Sequence, residues 1–511
     1  MFAVITGPQV RRPDESVASP SLLDPAGQLA YRTSGPPPGF DDLQLACALS
    51  GAGEFQRAVW YAPPSEPGTV AYRQAVVAEL RRPEFRGLAR RLTTAVAGAR
   101  RSIENYRKAH YQWPAEIQLA DAIARFTGAI AEAARGLDEL RPASAGLRGL
   151  AGYLSEQVAS AGFQELARNT VLDRIRGCSM ELGIHNGTVW VAPDTGRPGW
   201  GEQITATFAR FYEPGEQPEA TWVRPERSLN HVEAQAVELV ATSFPELFAE
   251  LHRFVGSRRN FLPAALQRLA QELRFYLDFL HLMDELSARG VAWCLPRSTP
   301  DGAVRVRGMV DLALAVRSDS PPIANDLLLT ADERVVFVTG PNQGGKTTFA
   351  RGFGQLCYLA GLGLPVPAQS ASLPWTMPVL THFPAPDAPD RGGLADELAR
   401  LHEALTAAGP HALLIFNELF SATSAADALL LSAKVVEQLR MLGCRVIWVT
   451  FLEELVLGTE PSVSLVGQVE PEDPTRPTFR FRPQPPGGRS HAVALAARHG
   501  LSGADLAERL R

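Results

Sequence analysis

Apolar positions recur every three or four residues between about 70 and 177, through VAYRQAVVAELRRPEFRGLARRLTTAV, IQLADAIARFTGAIAEAARGLDEL and AGYLSEQVASAGFQELARNTVLDRI. That period belongs to helices that bury one face, and it predicts a helical region there. GTVWVAP and ITATFARFYEP, within 187–214, interrupt it with short strand-like runs among Gly and Pro. The helical period returns from about 230 to 290, where FLPAALQRLAQELRFYLDFLHLMDELSARG is long enough for a lever helix. After AWCLP the texture changes. VRVRGMVDLALAV reads as strand sequence, and VVFVTG, ALLIF and CRVIWVT are apolar runs separated by helical or loop sequence, as buried parallel strands are. FRFRPQPPGG and SHAVALAARHG predict a last strand, a turn and short helices. The expected chain is multidomain: an irregular arm or small cap over 1–69, a mainly helical core and lever region over 70–300 with a strand-containing insertion near 187–225, and an α/β domain over 301–511.

Composition narrows the picture slightly. A chain of 511 residues with 45% hydrophobic and 21% charged residues has the ordinary balance of a globular protein and room for several domains. A net charge of -5 excludes a globally basic nucleic-acid binder, yet residues 81–108 hold nine Arg or Lys against Glu84 and Glu104. That run reads either as a strip facing DNA or as a solvated helix face. Cys47, Cys178, Cys294, Cys357 and Cys444 lie far apart without metal-ligand spacing, which reads as reduced, structural cysteine. With no signal-like start and no long apolar run, the expectation is a soluble cytoplasmic protein without a membrane partner.

The sharpest chemical signal is VVFVTGPNQGGKTTFARGFG, residues 335–354. Gly340 to Thr347 satisfy GxxxxGKT, with an apolar strand before and a predicted helix after. Glycines let backbone N–H groups approach phosphates, Lys346 supplies positive charge, and the Thr347 hydroxyl is a magnesium ligand in such loops. The candidate nucleotide-binding residues are therefore Gly340, Pro341, Asn342, Gln343, Gly344, Gly345, Lys346, Thr347 and Thr348, with ATP and Mg2+ as the expected cofactors. LLIFNEL, ending in Asn417 and Glu418, reads as a buried strand whose end reaches the same phosphates. An acid at Asn417 would support the metal and its water, so asparagine there keeps oxygen coordination but loses charge. Thr347 and Asn417 are the candidate metal residues, and Glu418 is the candidate catalytic residue acting on water.

TGPNQGGKTTF resembles the nucleotide-binding signature of the MutS family of DNA mismatch-repair ATPases, and NELFSATSAADA resembles that family's DEIGRGTSTFDG stretch. ANDLLL resembles the family's PNDxxL approach to the nucleotide. The resemblance is carried by residues 324–455 and extends more loosely over the helical region. It implies a helical lever region followed by a P-loop ATPase domain of ABC/MutS type with C-terminal dimerisation elements. It also implies a homodimer that binds duplex or branched DNA, possible repair-protein partners and a nucleoid-associated location. Gly392 stands where the family has its signature serine, and Phe451 where it has a histidine. With Asn417, these departures imply a weak Mg-dependent ATPase. Mismatch-reading members carry a Phe-x-Glu wedge, but none of Phe2, Phe40 or Phe55 opens such a sequence, Phe40 with Asp42 coming nearest. The wedge domain and a nuclease domain after the ATPase are both expected to be lacking. Two further readings stay open: an ATP-binding switch that engages a protein with little hydrolysis or DNA binding, and, without an LSGGQ-like signature to favour it, another P-loop enzyme.

Single residues carry paired readings. Trp113 and Tyr111 near Arg107 and Lys108 suit either a base-stacking platform or helix packing. His402 and Glu403 suit a polar helix face or a metal site. Arg391 suits a contact to a neighbouring nucleotide or a solvated loop.

Overall fold

The computed structural model describes residues 20–27, 35–168, 170–178, 180–185, 188–193, 231–374, 378–384, 393–421, 423–473 and 475–486. These residues divide into two compact units. One comprises Gly87–Arg141 and Gly149–Ala270, the other Pro20–Arg86, Pro142–Arg148 and everything from Gln271 onward. ITATFARFYEP and SHAVALAARHG lie outside the described residues.

The first unit is helical with one hairpin. Its longest helix, Gln112–Leu140, buries Leu119, Ile123, Phe126, Ile130 and Leu137, the three- and four-residue spacing of one face. Helix Pro245–Gly256 packs on it through Leu247, Phe248, Leu251 and Val255. Phe126 meets Phe261 edge to face at 5.3 Å. Strands β1 (Met180–His185) and β2 (Thr188–Pro193) pair antiparallel; β2 lies in the GTVWVAP run expected as a strand, whereas β1 was not anticipated. Along helix Pro83–Lys108 several of the arginines are already engaged: Arg91 pairs with Glu132, Arg100 lies 3.8 Å from Glu104, and Arg107 donates to Asn260. Trp113, partly exposed, packs edge to face on Phe248 at 5.2 Å, a contact that supports the helix-packing reading.

The second unit holds two sheets. The smaller contains β3 (Arg297–Ser298), β4 (Val304–Met309), β5 (Asn325–Leu329) and β7 (Ser370–Leu373) in the order β3-β7-β4-β5. The larger contains β6 (Val335–Thr339), β8 (Val379–His382), β9 (Leu413–Asn417), β10 (Arg445–Val449), β11 (Val463–Val469) and β12 (Pro477–Pro483). Its order is β12-β11-β6-β10-β9-β8, parallel throughout except for β12 against β11. Every residue of β6 and β9 is buried, which explains continuous apolar runs where a half-exposed strand would alternate. Trp448 fills the core beside Phe337 and Phe416, at ring distances of 5.7 and 5.4 Å.

One strand expectation is corrected. VRVRGMVDLALAV is a strand only as far as Met309, and Leu312–Arg317 is a helix. Asp311 makes the switch: its side chain accepts from the Leu314 N–H at 2.7 Å, satisfying an orphan donor of the helix start.

The described residues of the expected arm pack into this second unit. Leu22, Leu23, Phe40 and Leu43 are buried. Fully buried Arg73 donates to the Leu23 carbonyl at 2.8 Å, and Glu272 accepts from Ser21 Oγ and from the Leu22 N–H. Phe40 is 1% exposed and sits edge to face on Tyr61 and Tyr358, while Asp42 accepts from Thr381. Neither side chain is placed to wedge into a base stack.

Candidate nucleotide site

β6 leads directly into the glycine-rich loop, and the loop into helix Lys346–Leu362. The backbone requires glycine at two points. Gly340 has φ +129, and a Cβ there would lie 2.9 Å from the Gly467 backbone nitrogen on β11. Gly345, the N-cap, has φ +86. Gln343 adopts φ +60, a left-handed conformation unusual for a side-chain-bearing residue. The loop thereby turns a helix N-terminus and its unpaired N–H groups toward a cleft.

That cleft, of about 740 Å³, is lined by Asn342, Gln343, Gly344, Gly345, Lys346, Thr347, Thr348 and Glu418 among others. Gly340 and Pro341 stand behind the lysine, whose Nζ donates to their carbonyls at 3.0 and 3.2 Å and reaches Asn342 Oδ1 at 3.3 Å. Burial pushes the Lys346 pKa down, and the Glu418 carboxylate opposes that shift. Asn417 is 9% exposed at the end of β9, and its Oδ1 accepts from Thr347 Oγ1 at 2.8 Å. Loop helix and strand end thus meet through the two candidate metal residues.

Glu418 occupies a tight turn at φ +53, its N–H donating to the Val449 carbonyl at 2.9 Å. Phe420, also left-handed at φ +60, donates its N–H to Glu397 Oε1 at 2.7 Å. Glu397, in the first turn of helix Leu394–Ala407, therefore holds the turn that carries Glu418. The other wall comes from β12 and the segment before β5. Asn325 clamps the two together, donating to the Phe479 carbonyl and accepting from the Phe481 N–H, both at 2.9 Å. Ile323 and Phe479 are half-exposed apolar groups at the cleft mouth.

Sequence reasoning missed Glu397 and a buried network that orients the loop helix. Arg351 Nε lies 2.6 Å from Asp311 Oδ2, and Gln355 accepts from the Leu312 N–H and donates to the Leu43 carbonyl. No local motif announces these pairs, since their partners lie tens to hundreds of residues away. ANDLLL was the one legible signal, for Asn325.

The remaining candidates are not brought to the cleft. Phe451 is half-exposed beyond β10 and is not among the cleft-lining residues. His402 and Glu403 are exposed on a helix, and no cluster of three metal-ligating side chains occurs among the described residues. Gly392 and Arg391 lie outside the described residues. Among the described residues no helix is long and apolar enough to cross a membrane.

Strand order, loop and cleft define an α/β protein with a glycine-rich strand-to-helix loop at the C-terminal edge of a parallel sheet. Residues 336–469 match the family model of MutS domain V. The "DNA mismatch repair protein MutS" of Granulibacter bethesdensis is 33% identical over 190 residues, 35% of this chain and 20% of that protein. Proteins of the same name from Leuconostoc mesenteroides and Shouchella clausii are each 28% identical, over 244 and 225 residues. The first match covers 46% of this chain and 28% of that protein, the second 43% and 25%. Residues 336–469 thus carry a MutS domain V, and the similarity to MutS proteins extends over between a third and a half of the chain. The chain spans between a fifth and a third of the length of these curated relatives.

Proposed function

We propose that the second unit is a P-loop ATPase-type domain that binds ATP and Mg2+ at residues 340–348. On this reading the chain acts on DNA in mismatch repair or a related transaction, as a nucleotide-controlled homodimeric clamp or switch that hydrolyses ATP slowly. The observation that carries this reading is the 2.8 Å bond between Thr347 and Asn417, which joins the loop helix to the strand end within reach of Glu418. The donor set fits a magnesium nucleotide: loop N–H groups and Lys346 for phosphate oxygens, Thr347 and Asn417 oxygens for the hard cation and its waters. Bound magnesium would neutralise phosphate charge. Glu418 would orient or deprotonate the attacking water. Neutral Asn417 lends no charge to that metal, which supports slow turnover. The apolar mouth at Ile323 and Phe479 suits a flat base.

DNA enters through the names of the relatives and through the arginines of residues 81–108 that remain exposed, such as Arg90 and Arg101. Phosphate contacts of this kind weaken as salt rises. Calorimetry with Lys346→Ala should show ATP affinity reduced at least about tenfold, roughly 1.4 kcal/mol; equal affinity would remove the nucleotide assignment. Binding to homoduplex, single-mismatch, branched and single-stranded DNA at two salt concentrations tests the second half. No binding to any of them at low salt would defeat it.

A further inference from the structure

The loop stands at the C-terminal edge of the parallel sheet. At the opposite edge, Leu413 and Arg445 begin β9 and β10, Arg334 precedes β6, and a second cavity of about 420 Å³ opens. Val304, Phe353 and Leu413 give it an apolar wall. Arg334 and Arg445 line it together with His411, and no carboxylate does so among the described residues.

Both guanidinium groups are positioned by backbone. Arg445 Nη2 donates to the carbonyls of Gly302 and Thr330 at 3.2 and 3.3 Å, while Arg334 Nη1 donates to the Gly443 carbonyl. These bonds leave other N–H groups of each fork uncommitted, and the Arg445 Nε is buried with no hydrogen-bond partner among the described residues. Neither arginine has an ion pair among the described residues. Glu333, whose charge reaches Arg445 at range, accepts from the Thr330 N–H at 2.7 Å instead. Burial, and to a lesser degree the like charge of Arg334, push the Arg445 pKa down. Guanidinium does not give up its proton at physiological pH, so this partly buried charge, without a carboxylate in direct contact among the described residues, is one that a bound anion would stabilise.

We propose that this cavity is a binding site for a small organic anion, its phosphate or carboxylate head held by the forks of Arg334 and Arg445 and its apolar body against Val304, Phe353 and Leu413. Two planar forks match oxyanion geometry, and the volume falls in the range of small-molecule sites.

The test uses the full chain carrying Lys346→Ala, so that the glycine-rich loop does not compete for the probe. Phenyl phosphate and benzoate are titrated separately by calorimetry, and hydrogen exchange is mapped with each. Saturable binding of either is expected, with slowed exchange at residues 410–413 and 443–446, and the better probe identifies the head group. Arg334→Gln or Arg445→Gln should weaken that binding at least about tenfold. The site is refuted by no saturable binding of either probe up to about 10 mM, by protection confined to other segments, or by affinity unchanged in both folded arginine variants. Should those variants not fold, the exchange map on Lys346→Ala decides alone.

Discussion

Acidification should destabilise this protein through one residue, His382. It ends β8 beside the strand that carries Asn417, its side chain is 3% exposed, and its Nε2 is buried without a hydrogen-bond partner among the described residues. Burial first, and then the Arg400 charge, lower its pKa from 6.5 to about 4. The Glu397 carboxylate 3.8 Å away does not outweigh burial, so the imidazole is neutral and the contact is not an ion pair. Between pH 6.5 and pH 4 the unfolded chain therefore binds a proton that the folded chain refuses. The histidine's contribution is fully present above pH 6.5, falls as the pH drops, and is lost below pH 4. At about 1.4 kcal/mol per pH unit that interval sets a ceiling of about 3 to 4 kcal/mol. Arg400 is exposed and screened by salt, which brings the expected loss to about 2 to 3 kcal/mol. Urea unfolding of the protein and of His382→Leu across this pH range isolates the effect, because other titrating groups cancel in the difference. A difference that stays flat would refute the argument. Stability rising on acidification would show that Glu397 holds an imidazolium.

Further outcomes test the site, the packing and the proposed clamp. Asn417→Asp keeps the acceptor for Thr347 and adds charge at the strand end, so ATP turnover should rise or its magnesium requirement fall; a magnesium titration showing neither would dissociate this position from the metal. Gly354→Ala would set its Cβ 2.3 Å from Ile415 Cδ1 and 2.5 Å from Leu43 Cδ2. Overpacking there should exceed the helix-propensity gain and cost about 1 to 2 kcal/mol, whereas Gly361→Ala, with nothing within 4 Å, should gain about 0.5 to 1 kcal/mol, both read by thermal melts. Light scattering should find a dimer with ATP, and a monomer with ATP, with ADP and without nucleotide at micromolar concentration would count against the clamp.

The conformation of the loop was legible because it is local. Gly340, Gly345, Lys346 and Thr347 lie within eight positions, and strand, turn and helix each follow from their own neighbours' backbone preferences. The parallel strands were legible for the same reason, since burial on both faces writes an unbroken apolar run. VRVRGMVDLALAV misled because strand and short buried helix share that apolar texture, and only the Asp311 cap separates them.

What the sequence determined by itself was thus a set of local conformations, among them the glycine-rich turn from strand to helix. Tertiary structure alone decided which further distant residues support it: Glu397 under the turn of Glu418, Asp311 against Arg351, and Leu43 against the loop helix. The physical reason is that hydrogen bonds and packing act over a few ångströms of space without regard to chain separation. A periodicity can therefore announce that a face is buried, but not which side chain buries it.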